Sequence, residues 1–359
     1  MTAAATGAVL AVDGGNSKTD VALLAADGSL LAHVRGAGSN HQTVGVDAAQ
    51  ATLAKLVDAV RDRAGITADA PLAEVAALCL AGADLPADID RTTAWARRRG
   101  WAPRVVVDTD IAAMLHASPH ADNAVAVVCG GGINAIGLRG RDGATARFPA
   151  LGMLTGDWGG GGQLAMEVMF AASRAEDGRG PATVLVDEVR ALWGVESVRD
   201  AAIAVHTGRI GYDRLHELPP LIFTAATAGD TVARGLVDRL SDEIAAWVLA
   251  CLRHLDLLRC SRRRGAAFSA CGLAPHPPGT PEIDVLLAGG VLVGNAPVML
   301  PALRQRLAGP APAAEVRLID APPIAGAAIL GFGHLPTAVP TEVLGKARSA
   351  LIAELHWRV

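Results

Sequence analysis

Three features are scarce in this sequence: aromatic side chains, cysteines and long apolar runs. Aromatic residues make up 3% of the 359 residues, so the core must be built mainly from Ala, Val and Leu. The five cysteines are odd in number and widely spaced, which argues against a disulfide framework and against a zinc or iron–sulfur site. No apolar run approaches the roughly 18 residues that span a bilayer, and no signal peptide is recognisable. We therefore expect a cytoplasmic protein with no membrane partner.

An excess of positive charge is also missing. The formal net charge is −4, so the composition favours neither nucleic acid nor an anionic membrane as a partner. Apolar residues make up 51% of the chain and charged residues only 19%, which is typical of a folded globular protein. The length is sufficient for two ordinary domains, and the 40 glycines indicate many tight turns.

One pattern occurs twice. Residues 8–34 contain an apolar run, a Gly pair, a second apolar run, an Asp-Gly turn and a third run. Residues 124–148 repeat this order with a Gly triplet and with Asp142-Gly143. Because Asp-Gly between apolar runs is a strong hairpin signal, each stretch predicts a three-stranded meander. The repetition predicts two related modules.

Helical and strand-like segments alternate after each meander. Helical spacing covers residues 46–60, 163–173 and 230–258, and short apolar runs at 75–81 and 283–288 predict buried strands. Such alternation predicts an α/β protein with mixed sheets. The stretch 260–281, rich in Arg, Gly and Pro, is predicted as a surface loop. Two such domains would leave a cleft lined by both glycine turns, where ligands of open α/β folds bind.

The first glycine turn combines a carboxylate with small residues that expose backbone N–H groups. Such a turn can hold phosphate oxygens, and Asp13 could bind Mg²⁺ through water. A plain β-hairpin turn is the alternative interpretation. The candidate nucleotide-binding residues here are Asp13, Gly14, Gly15, Asn16, Ser17, Lys18 and Thr19.

Gly130, Gly131 and Gly132 follow a buried strand and would let the backbone approach a ligand closely, unless they form a bulge or tight turn. Asp108 and Asp110 stand between a strand and a helix, where one of them must cap the helix or face the cleft. Phosphoryl transfer to an alcohol needs an acceptor for the hydroxyl proton, usually an Asp. Asp110 is our candidate for this base.

Three further segments carry polar or glycine-rich signals. Asn40, in the segment 36–41, offers both a donor and an acceptor to a sugar hydroxyl. Asp157 precedes four glycines at 159–162 and could bind sugar hydroxyls, with a flexible linker as the alternative. Gly289 and Gly290 end a late strand, where an adenine could lie against the backbone or a helix could pack closely.

The order of these motifs resembles the acetate and sugar kinase/chaperone ATPase/actin superfamily. Within it, the chain is similar to the N-acetylglucosamine kinases of the BadF/BadG/BcrA/BcrD ATPase family, from residue 9 to about 336. The resemblance matches residues 13–19 to the first phosphate loop, 130–133 to the second, and 38–41 and 156–160 to sugar segments. It also matches Asp110 to the catalytic Asp and Gly289-Gly290 to the adenosine motif.

Two departures affect the sugar segments of this resemblance. Trp158 and Gly160 stand where Glu and Ser are usual, and Ala150-Leu151-Gly152 replaces a Gly-Trp-Gly. The second phosphate loop also lacks its usual hydroxyls, which leaves its phosphate contacts to the backbone.

The resemblance implies two ribonuclease-H-like (actin-like ATPase) domains around a central nucleotide and sugar cleft. We expect residues 1–113 with the C-terminal helix at 340–359 in one domain and 114–339 in the other. ATP and Mg²⁺ are the implied cofactors, and the sugar contacts fall on Asn40, Asp110, Gly152 and Asp157.

The implied activity is phosphorylation of a hexose hydroxyl, that of N-acetylglucosamine giving the 6-phosphate, in a homodimer. The alternatives are a kinase for another sugar or cyclitol, the ATPase activator of a radical dehydratase, and a sugar-sensing protein without catalysis.

Overall fold

The computed structural model describes residues 7–67, 70–117, 123–140, 142–258 and 283–357. The predicted surface loop at 260–281 lies outside these residues, together with Cys260 and Cys271. The remaining cysteines, Cys79, Cys129 and Cys251, are all buried. No helix of the described chain is long and apolar enough to cross a bilayer.

The first sheet has the strand order β3-β2-β1-β4-β5. Its strands are β1 (Gly7–Gly14), β2 (Lys18–Leu24), β3 (Leu30–Ala37), β4 (Ala73–Leu80) and β5 (Arg104–Thr109). The first three form an antiparallel meander, whereas β1, β4 and β5 run parallel to one another. The carboxyl ends of the three parallel strands therefore meet at one edge of the sheet, where Asp13 lies near the end of β1, Asp84 lies in the loop after β4, and Asp110 directly follows β5.

Four helices connect and follow these strands. They are α1 (His41–Val44), α2 (Val46–Ala64), α3 (Pro86–Arg98) and α4 (Asp110–Ala117). The helical spacing predicted at 46–60 is confirmed, because Leu53, Leu56 and Val60 are all buried on the sheet side of α2. Gly65 ends this helix in the left-handed conformation that favours glycine.

The second sheet has the order β10-β9-β6-β7-β8. Its strands are β6 (Asn123–Cys129), β7 (Ile133–Arg139), β8 (Ala144–Arg147), β9 (Ile283–Ala288) and β10 (Ala314–Leu318). The meander β6-β7-β8 is antiparallel, and β6, β9 and β10 are parallel. Strand order and directions thus repeat those of the first sheet, as the repeated sequence pattern predicted.

The second sheet carries a larger set of helices. They are α5 (Gly160–Glu176), α6 (Leu185–Trp193), α7 (Val198–His206), α8 (Pro219–Thr227), α9 (Thr231–His254), α10 (Gly290–Gly294) and α11 (Ala296–Leu307). Short 3₁₀ turns cover Gly152–Leu154 and Tyr212–Glu217. Sequence reasoning did not predict α7, α8 or α11, which are short or contain proline in their first turn or interior. It also began α5 three residues too late, because its first turn consists of glycines.

Two last helices, α12 (Pro323–Phe332) and α13 (Thr341–Glu354), complete the chain. The described residues form two compact units, one of residues 7–117 with 319–357 and the other of residues 123–318. The predicted division placed α12 in the second domain. In the structure α12 packs on β1, β4 and α4, so it belongs to the first compact unit.

Candidate active site

The first glycine turn is the end of the β1-β2 hairpin. Gly14 pairs with Thr19 and Asp13 with Asp20, and the Gly15 N–H donates to the Lys18 carbonyl over 2.9 Å. The side chains of Asn16, Ser17 and Lys18 are exposed, whereas Asp13 is only 8% exposed. The turn therefore presents donors to solvent above a buried carboxyl group. The hairpin interpretation and the phosphate-binding prediction are compatible.

Asp13 has an electrostatic environment that disfavours its charged form. Burial raises the pKa of its carboxyl group to about 8, and the nearby carboxylates of Asp110 and Asp20 add to the effect. Lys18 and Arg35 act in the opposite direction but do not offset it. A cation bound here would relieve this unfavourable charge.

Asp20 is held in its charged form by two side chains of β3. His33 Nε2 lies 2.9 Å from Asp20 Oδ1, and Arg35 donates from Nε and Nη2 to the two carboxylate oxygens over 2.8 and 2.9 Å. Burial alone would raise the pKa of Asp20, but these hydrogen bonds lower it below its ordinary value. Sequence reasoning missed this network. The signal in the sequence is Asp20 in the apolar strand β2, together with His33 and Arg35 at alternate positions of the neighbouring strand β3.

Asp110 is the first residue of α4 and follows β5 directly. Burial, and to a smaller extent the nearby carboxylate of Asp84, together raise the pKa of its carboxyl group to about 7. Asp84 follows β4 and was also missed by sequence reasoning, although it repeats the pattern of an acid after a buried parallel strand. Asp108 instead accepts a hydrogen bond from the Thr109 N–H over 2.7 Å. Asp110 thus has the pKa expected of a base that works near neutral pH.

Asn40 lies next to the first glycine turn. Its Oδ1 accepts from the Gln42 N–H over 2.9 Å and so caps α1, and its Nδ2 donates to Asn16 Oδ1 over 2.6 Å. The side chain is 7% exposed. One amide hydrogen and one oxygen lone pair remain available, so Asn40 can still form the predicted hydrogen bonds with a sugar.

The second glycine turn lies between β6 and β7 and is covered by the first turn of α5. The N–H groups of Gly161 and Gly162 donate to the carbonyls of Gly130 and Gly131 over 2.6 and 2.9 Å. Gly160 has a φ of +79°, and a Cβ there would lie 2.5 Å from the backbone of Gly132. The glycine run is therefore not a flexible linker over 160–162. It is required for close packing of two backbone segments.

Asp157 and Gly152 lie in the segment that precedes α5. Asp157 is buried and accepts from Thr155 Oγ1 over 2.6 Å, and its N–H donates to the Gly152 carbonyl. Gly152 is exposed and has open space where a Cβ would stand. The structure thus groups these two predicted sugar contacts in one short segment.

Trp158 lies in the predicted sugar segment 156–160, but its side chain packs into the protein core. The side chain is only 3% exposed and belongs to the core of the second unit. Its Nε1 donates to Glu167 over 3.0 Å, and the Arg239 guanidinium lies 4.0 Å from the centre of its ring system. The indole is buried because its polar edge finds a partner on α5.

Gly289 caps α10 with a φ of +95°, and a Cβ there would lie 2.3 Å from the Cys129 carbonyl oxygen. The close-contact interpretation therefore accounts for Gly289. Gly290 has open space around the position of a Cβ. Its predicted contact with adenosine stays a prediction.

Mg²⁺ is the metal that the predicted chemistry implies. Among the residues that the structure describes, no group of three or more His, Cys, Asp or Glu side chains could hold a metal ion. Mg²⁺ commonly takes one or two carboxylates and completes its ligands with phosphate and water. Asp13 fits such a place as a single hard oxygen donor, whose raised pKa a cation would lower.

The buried acids predict an unusual dependence of stability on pH. The Asp13 carboxyl group titrates near 3.8 in the unfolded chain and near 8 in the folded one, so the folded chain binds more protons between these values. The free energy of unfolding of the nucleotide-free protein should therefore fall as the pH rises from about 4 to 8.

Asp13→Asn should remove this loss and stabilise the protein at pH 8 by at least about 1 kcal/mol, since one pKa unit corresponds to about 1.4 kcal/mol. At pH 4 the gain should vanish. Urea unfolding at both pH values measures the difference, with Asp58→Asn on the exposed face of α2 as control. Equal stabilities of wild type and Asp13→Asn at pH 8 would contradict the assignment.

Comparison with known proteins places these features in context. The family model of the BadF/BadG/BcrA/BcrD ATPase family matches residues 10–328. The chain is 24% identical over 251 residues to an N-acetylmuramic acid/N-acetylglucosamine kinase of Clostridium acetobutylicum, which covers 69% of this chain and 80% of that protein. It is 25% identical over 256 residues to an N-acetyl-D-glucosamine kinase of Dictyostelium discoideum, with the same shares covered.

The fold is also found in solved structures. A candidate N-acetylglucosamine kinase of Chromobacterium violaceum superimposes with a TM-score of 0.67 at 22% identity, over 91% of this chain and 99% of that one. At this identity the likeness establishes the fold, which is the predicted α/β fold of actin-like ATPases with two mixed five-stranded sheets.

Proposed function

This chain belongs to the BadF/BadG/BcrA/BcrD ATPase family, and on that premise we propose that it is an ATP-dependent sugar kinase. The substrate we propose is an amino sugar, with N-acetylglucosamine as the first candidate. The observation that carries the proposal is Asp110, whose half-buried carboxyl group has a pKa near 7 and directly follows β5, at the same edge of the sheet as Asp13 and Asp84.

Asp110 is the general base in the proposed reaction. The sugar hydroxyl oxygen attacks the γ-phosphorus, the bond to the β,γ-bridging oxygen breaks, and ADP leaves with that electron pair. The hydroxyl proton passes to an Asp110 oxygen. Because this base must be deprotonated to accept the proton, we expect activity to decline below about pH 7.

The two glycine turns are the proposed phosphate-binding elements. Lys18, Ser17 and Thr19 would add an ammonium group and hydroxyls to the backbone N–H groups of the first turn. Gly130, Gly131 and Gly132 would contribute backbone contacts alone. Asp13 would hold Mg²⁺, which supplies charge stabilisation to the transferring phosphoryl group. Gly289 and Gly290 are the proposed neighbours of the adenosine.

Asn40, Gly152 and Asp157 are the proposed contacts of the sugar. The names of the relatives from Clostridium acetobutylicum and Dictyostelium discoideum, both kinases of N-acetylglucosamine, support an amino sugar as substrate. The first of these names adds N-acetylmuramic acid, so this sugar is our second candidate.

A substrate screen tests the proposal. We expect ATP consumption with Mg²⁺ to be stimulated at least tenfold by N-acetylglucosamine over glucose, glucosamine and cyclitols, and to be abolished by EDTA. N-Acetylmuramic acid is tested beside them. Binding of a sugar without any turnover would instead support a sugar-sensing protein. Turnover of a cyclitol or of glucose alone would assign the kinase to another substrate.

The ATPase activator of a radical dehydratase is a separate alternative. Such a protein needs a cluster held by accessible cysteines, and the three described cysteines are buried. We expect the purified protein to be colourless and free of iron. The cytoplasm is the proposed location, since five widely spaced cysteines fit a reducing compartment. A homodimer is the proposed assembly.

A further inference from the structure

The predicted sugar segment at 38–41 makes several direct contacts with the first glycine turn. The Ser39 N–H donates to the Gly15 carbonyl over 3.1 Å, and Thr19 Oγ1 donates to Ser39 Oγ over 2.9 Å. Gly38 approaches so closely that a Cβ there would lie 1.9 Å from the Asn16 carbonyl oxygen. A movement of the turn therefore has to displace the segment that carries Asn40.

The amide orientation of Asn40 follows from its role as a helix cap. Its Oδ1 must face the Gln42 N–H that it accepts from, so its Nδ2 faces Asn16. A donor on Asn40 requires an acceptor opposite, and Asn16 therefore presents its Oδ1, 2.6 Å away. Thr43 Oγ1 also lies 3.5 Å from the same oxygen. The Asn16 Nδ2 group is consequently left facing away from Asn40, in a side chain that is exposed on the turn.

We propose that Asn16 is a positioning residue that links the phosphate turn to Asn40, so that nucleotide and sugar bind with positive cooperativity. The inference rests on the proposed function, because it takes the turn as the phosphate site and Asn40 as a sugar contact. Asn16 Nδ2 donates to a phosphate oxygen, Asn16 Oδ1 accepts from Asn40, and Asn40 offers its remaining hydrogen and lone pair to the sugar.

Polarisation and rigidity of the Asn16 side chain both make nucleotide binding strengthen sugar binding. An amide that donates to an anion becomes a better acceptor at its oxygen, which strengthens the hydrogen bond from Asn40. An Asn16 side chain fixed by phosphate also fixes the partner of Asn40 before the sugar arrives. One net hydrogen bond corresponds to roughly a threefold to tenfold change in affinity. By linkage, each ligand must strengthen the other by the same factor.

Calorimetry measures the coupling directly. We would determine the Kd of N-acetylglucosamine with and without saturating Mg²⁺ and the ATP analogue AMPPNP. In the wild type the analogue should tighten sugar binding about fivefold, and in Asn16→Ala less than about twofold. Gln42→Ala is the matched control, since this exposed amide lies beside Asn40, has no assigned ligand contact, and keeps in the variant the backbone N–H from which Asn40 accepts. It should retain the wild-type coupling.

A second variant separates the two links of Asn16. Asn16→Asp keeps an acceptor for Asn40 but has no hydrogen to donate to phosphate. It should bind N-acetylglucosamine alone as tightly as the wild type and yet lose the enhancement by AMPPNP. Adenosine, which carries no phosphate, should produce no enhancement even in the wild type.

The possible outcomes distinguish this inference from the proposed function. Absence of sugar-dependent ATP turnover in the wild type would contradict the proposed function. Normal turnover combined with no coupling in the wild type, or with equal coupling in Asn16→Ala and Gln42→Ala, would overturn only the role of Asn16. Full enhancement by adenosine would overturn it as well.

Discussion

Asp110→Asn should lower kcat by a factor on the order of 10²–10⁴ while Mg²⁺ and ATP still bind. The amide has nearly the same shape as the carboxyl group, but it cannot accept the proton of the attacking hydroxyl. The wild-type residue is half-buried at the start of α4, and desolvation raises the pKa of its carboxyl group to about 7. Steady-state turnover with N-acetylglucosamine measures the loss, and titration with AMPPNP checks that the nucleotide site is intact.

Asp108→Asn provides a matched control for this prediction. The residue lies two positions earlier, and its Oδ1 accepts from the Thr109 N–H, a bond that an Asn oxygen can also accept. We expect Asp108→Asn to change kcat less than about tenfold. The wild type should also lose activity below about pH 7, whereas the residual activity of Asp110→Asn should lack this dependence. A similar loss in both variants, or full turnover in Asp110→Asn, would show that Asp110 is not the base.

Gly326→Ala should destabilise the protein by about 3 kcal/mol or more and lower its Tm by about 5–10 °C. Gly326 lies in α12, where a Cβ would stand 1.6 Å from the Ala113 carbonyl oxygen of α4. The added methyl group can be accommodated only if the two helix backbones move apart. This movement would disturb the cluster of small residues that α12 buries against β1 and α4. Thermal unfolding followed by circular dichroism measures the effect.

Gly345→Ala is the control for the glycine substitution. Gly345 lies on the exposed side of α13 and has nothing within 4 Å of a Cβ. Ala has the higher helix propensity, so this variant should be more stable than the wild type by about 0.5–1 kcal/mol. If Gly326→Ala behaved like Gly345→Ala, the close crossing of α4 and α12 would be wrong.

The helix α12 illustrates which parts of the fold could be predicted from the sequence and which could not. A run of small residues such as the one at 322–331 is typical of a helix that packs tightly on its neighbours, and α12 packs in this way. The same reasoning assigned the helix to the second domain, because it follows β10 directly in the chain. Its actual partners, β1 and α4, lie more than 200 residues earlier. No local signal in the sequence identifies contacts at such a distance.

The candidate site was also predicted only in part, because local sequence signals do not identify contacts between distant residues. Asp13, Asp110 and both glycine turns were recognisable from the residue types at the end of a buried strand, whereas Asp84 was missed. The partners of these residues were not recognisable, as Trp158 and Asp20 illustrate. Trp158 is buried against α5 and α9 rather than available to a sugar, and Asp20 is paired with His33 and Arg35. The roles of the individual site residues stay predictions until variants are measured.

The sequence alone determined the repeated order of strand, glycine turn, strand, Asp-Gly turn and strand, because side-chain periodicity and turn chemistry act over a few residues. It thereby also indicated the class of fold and the family. Only the tertiary structure decided which strands are neighbours in each sheet. The pairing of β1 with β4 and of β4 with β5 sets Asp13, Asp84 and Asp110 at one edge, although they are far apart in the chain. Desolvation in the folded chain then raises the pKa values of Asp13 and Asp110, and that property exists only in the folded protein.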